Sequence, residues 1–234
     1  SLIFLIAVFG LGGIGAVPIT SGVSVTPNIA NIDPLLTANI TDNTSPNTVV
    51  MAEYFIDDGV RINMTPSDGI YDSMFENVTS TMSIIGLSEG THKVSVHGLN
   101  NNSEWGILVN ASFIVDTTIP FLTSTQITGG YGGTNKISPQ NIDGKYDSVT
   151  IVMNASELVD WGTLYVRNSS GDNVKWYVCS DWVLSCVKSW DGKNTGGAYV
   201  PDGIYTIVLT TLPPSKALND SAGNVNPSIT IGTV

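Results

Sequence analysis

Past residue 17 the chain is written in short alternating runs. β-Branched and aromatic residues gather in these runs, Gly, Pro, Asn and Asp divide them, and no helical periodicity lasts two turns. "GVSVTP", "LLTANIT", "VVMAEYFI", "VRINMT", "STMSIIGL", "THKVSVHGL" and "WGILVNASFIVD" read as one series of strands ending near Asp116. "FLTSTQI", "DSVTIVMN", "GTLYVRN", "NVKWYVC", "WVLSCVKSW", "GIYTIVLTTL" and "SITIGTV" read as a second. Between them "DTTIP", from Asp116 to Pro120, reads as a linker, because Pro cannot donate to a ladder and biases Ile119 toward an extended backbone.

About seven strands in about a hundred residues is the rhythm of an immunoglobulin-like sandwich. The expected fold is therefore all-β: two tandem immunoglobulin-like β-sandwiches preceded by a hydrophobic N-terminal tail. The boundaries are 1–17 for the tail, 18–118 for the first domain and 119–234 for the second. Asp-Gly turns followed by an aromatic recur at "DGIYD" (68–72), "DGKYD" (143–147) and "DGIY" (202–205). Gly accepts positive φ there, Asp bonds nearby amides, and each Tyr is expected to restart a strand with a buried ring.

The tail, "SLIFLIAVFGLGGIGAV", carries no charge. It starts at Ser1 without the Met and basic residue of a secretory signal, so a retained assembly segment is expected over a leftover signal. As a helix it would span roughly 25 Å, short of the about 30 Å of a hydrocarbon core, and Gly10, Gly12, Gly13 and Gly15 disfavour a helix. As a strand it would put Leu2, Phe4, Ile6 and Val8 on one side and Ile3, Leu5 and Phe9 on the other, with Leu11, Ile14 and Val17 following. Burying this much apolar surface is worth on the order of 20 kcal/mol before ordering entropy, so the segment needs cover. A strand donated to a neighbour makes a head-to-tail contact that propagates into a filament. Each series already has about seven strands, and "GVSVTP" is the weakest, so the first domain is the expected receiver. A pilin-like helical core is the alternative conformation.

Composition narrows the setting. Nine Lys plus Arg face twenty Asp plus Glu, a net charge of -11, with no basic stripe, which excludes nucleic acid and polybasic membrane contact. Membrane contact is expected only through the tail. Nine Asn-X-Ser/Thr sequons, at Asn39, Asn43, Asn63, Asn77, Asn101, Asn110, Asn154, Asn168 and Asn219, mark a glycosylated exterior, and at Asn43 Pro46 follows directly. Cys179 and Cys186 are spaced too widely for a C-x-x-C site, and a local disulfide clamping a hairpin is expected in an exported protein.

Candidate chemistry is sparse. His92 and His97 lie five apart on one strand and so point to opposite faces, which keeps them from converging on a metal or a nucleophile. No Gly-x-Ser-x-Gly elbow, phosphate loop or His-Glu-x-x-His is present, and the carboxylates sit mostly in turns. Asp116 with Asp143 or Asp191 could offer calcium a loop-end site, but no Asp-x-Asp-x-Asp series closed by Glu exists, so no cofactor is expected. Trp105, Trp161, Trp176, Trp182 and Trp190 could form a sugar platform, but three of them flank the cysteines, where packing accounts for them. An enzyme is not expected.

The stretches "AEYFIDDG", "DGIYDS", "LSEGTHKVSVHGLNNNSEWG" and "FIVDTTIP" resemble the immunoglobulin-like repeats common in archaeal, especially methanogen, surface proteins. "NNNSEWG" departs from the Gly-Asn-Trp-Gly type of turn usual there. "IDGKYDSVTIVMNASELVDWGTLYVRNSSGDNV", "WDGKNTGGAYVPDGIYTIVL" and "DSAGNVN" resemble the immunoglobulin-like domain of flagellar hook-capping proteins. The tail, sandwiches and sequons together resemble archaeal thread filaments, whose glycosylated subunits are joined by N-terminal donor strands. These resemblances imply a structural subunit at the cell surface whose partners are copies of itself and N-linked glycans. The competing expectation is an adhesin or S-layer-associated protein anchored by the tail.

Overall fold

The computed structural model describes residues 17–140, 143–210, 218–226 and 228–234. Of the ten residues assigned to subunit assembly, Leu2, Ile3, Phe4, Leu5, Ile6, Val8, Phe9, Leu11 and Ile14 lie outside the described residues, and Val17 is partly buried. The chain divides into two units, Ser1–Asp116 and Thr117–Val234.

In the first unit the strands are β1 (Ile19–Thr26), β2 (Ile29–Ala30), β3 (Leu35–Thr41), β4 (Val49–Ile56), β5 (Ile62–Asn63), β6 (Thr65–Pro66), β7 (Phe75–Thr81), β8 (Gly90–Asn100) and β9 (Val109–Val115). They form two sheets, ordered β1-β3-β7-β6 and β2-β9-β8-β4-β5. All pairings are antiparallel except β2 on β9, which is parallel. Alternation sets the layers: Leu36, Ala38 and Ile40 of β3 are buried while Thr37, Asn39 and Thr41 face outward. Leu36, Ile40, Tyr54, Val78, Val94, Val96 and Phe113 meet in the core. The two sheets approach so closely that a Cβ on Gly98 would fall 2.2 Å from Ile40 Cγ2.

The second unit contains β10 (Leu122–Thr128), β11 (Val149–Trp161), β12 (Thr163–Arg167), β13 (Asn173–Val178), β14 (Val183–Trp190), β15 (Thr206–Thr210), β16 (Leu218–Asn219), β17 (Val225–Asn226) and β18 (Ile229–Thr233). One sheet runs β13-β12-β15-β18; in the other, β11 is flanked by β10 and β14, and its far end carries β16 and β17. Ile151, Met153, Trp161, Leu164, Val166, Trp190, Ile207 and Leu209 form its core. In both units the first two long strands share a layer with one later strand, β1 and β3 with β7 and β10 and β11 with β14, while β4, β8 and β9, or β12, β13, β15 and β18, form the other. That is the immunoglobulin-like arrangement, so the chain is all-β with two such sandwiches.

Several local expectations need correction. "STMSIIGL" is not a strand: after β7 ends at Thr81, Met82 and Ile84 drop into the core from a loop whose Ile85 points to water. The strand here is "FENVTST", in which Phe75, Asn77 and Thr81 are exposed and Glu76 and Val78 are buried. "VRINMT" splits at Met64 into β5 and β6, which belong to different sheets. In the "DGKYD" turn Tyr146 has φ 60, starts no strand and is exposed, packed edge-on against Tyr131. Tyr71 spends its hydroxyl on the backbone, accepting from Ala52 N and donating to Met64 O. "GVSVTP" is not a weak strand either, because β1 pairs with β3 at six positions.

Candidate functional site

The cysteines form a disulfide with a Cα separation of 5.7 Å. It does not clamp a hairpin. β13 belongs to one sheet and β14 to the other, so the bond from Cys179 to Cys186 ties the two layers along one side of the second sandwich. Cys186 is buried in the middle of β14, opposite Met153 of β11. Sequence spacing gave the bond but not its topology, because the two flanking runs look like neighbouring strands of one hairpin.

Two side chains and one backbone amide complete this seam. The Tyr177 hydroxyl donates to Ser189 O at 2.8 Å, and burial, with the Asp191 charge adding to it, pushes its pKa up to about 12, which keeps the proton on the donor. Trp161 Nε1 donates to Val183 O at 2.9 Å, and Trp182 N donates to Val159 O at 2.8 Å. Trp182 adopts φ 55, a left-handed backbone that a bulky residue takes only under constraint from its surroundings.

The seam is apolar on its outside. Trp176, Val178, Trp182, Leu184 and Val187 are each about half exposed. Packing accounts for Trp161 and Trp190, which are buried, but not for Trp176 and Trp182, and Trp105 is partly exposed. The signal for Trp176 was present in the alternation. Tyr177 packs against the core, so Trp176 takes the outward parity, where it pairs with Tyr165.

None of the nine sequon asparagines is buried. Asn43, Asn63, Asn77, Asn101 and Asn110 are exposed, and Asn39, Asn154, Asn168 and Asn219 are partly so. Asn39 and Asn77 are direct cross-strand partners on the outer face of β3 and β7. Asn39 Nδ2 lies over β1, where a Cβ on Gly22 would approach it to 2.8 Å. Asn154 Nδ2 donates to Ser124 Oγ, and Asn168 Nδ2 to Asp172.

The two histidines do take opposite faces. His92 packs beside Phe113 at the end of the core and contacts Asp57 and Ser88 O, while His97 lies on the outer face under Trp105, their rings 4.2 Å apart. His97 bonds Glu53 Oε1 at 2.7 Å, and Arg61 closes the group by an ion pair to the same carboxylate. Burial raises the Glu53 pKa, but the bonds from His97 and Arg61 outweigh it and hold the carboxyl below its usual range. At the opposite end of β8, Asp42 is fully buried. Burial pushes it up, yet bonds from Asn100, Thr44 N and Asn47 hold it low. These groups act as struts: every polar atom named is spent on a neighbour.

Asp143 and Asp191 likewise engage their own turns, accepting from Lys145 N and Lys193 N. A cleft of about 670 Å³ in the second unit is lined by Ile137, Pro139, Trp190, Val200 and Tyr205, with Lys136 and Asp202 at its polar side.

No protein family matches the chain by sequence, and no curated protein does. Solved structures resemble it weakly. The tetra-tandem repeat in the extending region of a large adhesion protein shows 18% identity and a TM-score of 0.33, over 90% of this chain and 48% of that one. Fibronectin(III)-like modules of Clostridium thermocellum CbhA show 10% identity and a TM-score of 0.31, over 89% and 91%. Dimeric latent PorU from Porphyromonas gingivalis shows 14% identity and a TM-score of 0.32, over 94% and 20%. The chain thus spans about half of the adhesion-protein structure and about a fifth of PorU. At these scores no activity or partner passes from them to this chain.

Proposed function

We infer that the chain is a structural subunit at the outside of a cell, of the archaeal surface-protein type, which polymerises head-to-tail through residues 1–17 into a glycosylated filament. The observation that carries this reading is the disposition of the polar residues. All nine sequon asparagines reach solvent, whereas the titratable groups best suited to chemistry, His92, His97, Glu53 and Asp42, are consumed as struts. A disulfide between layers fits an oxidising compartment. The uncharged segment supplies apolar surface that no lone subunit in water keeps exposed.

Electron microscopy of the intact chain and of a chain lacking residues 1–17 tests the reading. Filaments are expected from the first and dispersed folded subunits from the second. Filaments from the truncated chain, or none from the intact one, would overturn it.

A further inference from the structure

The rims of the two sandwiches differ. In the first unit three of the four sheet rims are two-residue strands, β2, β5 and β6, and the fourth, β1, is bulged between Ser21 and Ser24 and followed by Pro27. Short, bulged or proline-flanked rims offer little template for another strand. In the second unit the rims β10, β13, β14 and β18 are five to eight residues long and, among the described residues, each pairs with one strand only; β14, on β11, is the longest and the one with an apolar border. Among the described residues no strand pairs with its other edge.

We propose that this edge of β14 is the acceptor for residues Leu2–Phe9 of a second copy, which add to it as an extended strand. The proposal rests on the filament reading and names the surface that the reading requires. Four observations meet here. Leu184 and Val187 on β14, Trp182 before it, and Trp176 and Val178 across the seam form an exposed apolar border, and the one charge in β14 is Lys188. β14 is held firm at both ends, where Val183 O and Ser189 O are taken by Trp161 and Tyr177 and so are not acceptors for an added strand, and at its centre, where Cys186 is tethered to Cys179. A strand that is already fixed loses little entropy when another adds to it.

The occupant fits in composition and length. Leu2–Phe9 contains no charge, no Gly and no Pro, and Gly10 ends the run. Eight extended residues span about 26 Å, the reach of the eight-residue β14. Two-sided apolar character suits a strand that meets the border residues with one face and the seam with the other. No sequon lies between Asn168 and Asn219, and Asn154, which pairs with Ser185, lies one strand in from this edge.

The test uses the full chain with p-benzoylphenylalanine in place of Val187, mixed with an isotopically labelled copy without it. Irradiation under polymerising conditions is expected to link position 187 to residues 1–16 of the labelled copy, read by mass spectrometry. Links that map to another surface, or only to the same copy's own segment, while filaments persist, overturn the β14 assignment and leave the filament reading standing. No polymer from the intact chain overturns both. In parallel, Leu184→Lys with Val187→Lys, both at exposed positions, is expected to reduce polymer yield at least tenfold while the thermal unfolding of the second unit is unchanged. Ile85→Lys, on an exposed loop of the first unit, is expected to polymerise as the parent does. Parent-like polymerisation of the double lysine variant overturns the proposal.

Discussion

His92 contacts an acceptor with each ring nitrogen: Nδ1 meets the Asp57 carboxylate, and Nε2 donates to Ser88 O at 2.7 Å. Two acceptors require two N–H groups, so the ring is held as a cation. Asp57 completes the lock by accepting Lys93 N at 2.8 Å, which fixes the turn after β4 against β8.

This pair makes the first unit pH-sensitive from both sides. The bond to Asp57 first, then that to Ser88 O, raises the His92 pKa, while His92 and then Lys93 N lower that of Asp57. The His92 contribution is complete below the unfolded value of about 6.5 and is lost as pH rises through the raised folded value; the Asp57 contribution is complete above about 3.9 and is lost as pH falls through the depressed one. The unfolding midpoint of the first unit is expected to plateau between these limits. Asp57→Asn should remove most of the alkaline decline, as followed by calorimetry across the range. An unchanged decline in that variant would count against the pair as its source.

Asn100 is expected to be the least replaceable polar residue of the first unit. Its Nδ2 donates to Asp42 at 2.8 Å and to Glu104 at 3.0 Å, and its Oδ1 accepts from Asn102 N and Glu104 N. Asn100→Ala strips a buried carboxylate of a donor and leaves two amides unmet, a loss of about 2–4 kcal/mol. Urea titration of the variant measures it, and a change under about 0.5 kcal/mol, the size of an ordinary surface substitution, would contradict the assignment.

Much of this architecture is legible in the sequence, and the exceptions share a cause. "LLTANIT" coincides with β3 because alternation there is undisturbed, and "VVMAEYFI" with β4 as an apolar run buried in succession from Ala52 to Phe55. "STMSIIGL" misleads because burial of Met82 and Ile84 needs no strand, only a loop that folds inward. The seam was invisible for a different reason. Whether β13 and β14 share a sheet depends on where each finds its partner, β12 or β11, and such pairing is not encoded in any local run. Periodicity shows which side of a strand is apolar, but not that the edge beside Val187 has no paired strand among the described residues.

The disulfide should matter to one unit only. Cys179→Ala with Cys186→Ala releases a short loop, for which chain entropy predicts a loss of about 2–3 kcal/mol. That corresponds to a drop on the order of 10 °C in the midpoint of the second unit. The first unit, which contains no cysteine, should unfold as before. Differential scanning calorimetry with and without reductant resolves the two, and equal shifts in both transitions would be inconsistent with this picture.

Asn39 and Asn77 should not carry glycans together. Direct cross-strand neighbours hold their Cβ atoms about 5 Å apart, and Asn39 Nδ2 is further hemmed by β1 at Gly22. In native material, glycopeptide mass spectrometry is expected to find sugar on Asn77 and unmodified Asn39 on the same molecules. Doubly modified chains in quantity would show that the outer face accommodates both.

The bond between Cys179 and Cys186 also sets a time of readiness. In a reducing compartment the thiols stay apart, and the strand carrying Leu184 and Val187 has no covalent tie to the opposite layer. On the proposed assembly route, a newly made chain would then carry its apolar segment before its receiving edge had set. Oxidation after export would thus separate synthesis from joining, so that subunits meet outside the cell as partners instead of tangling within it.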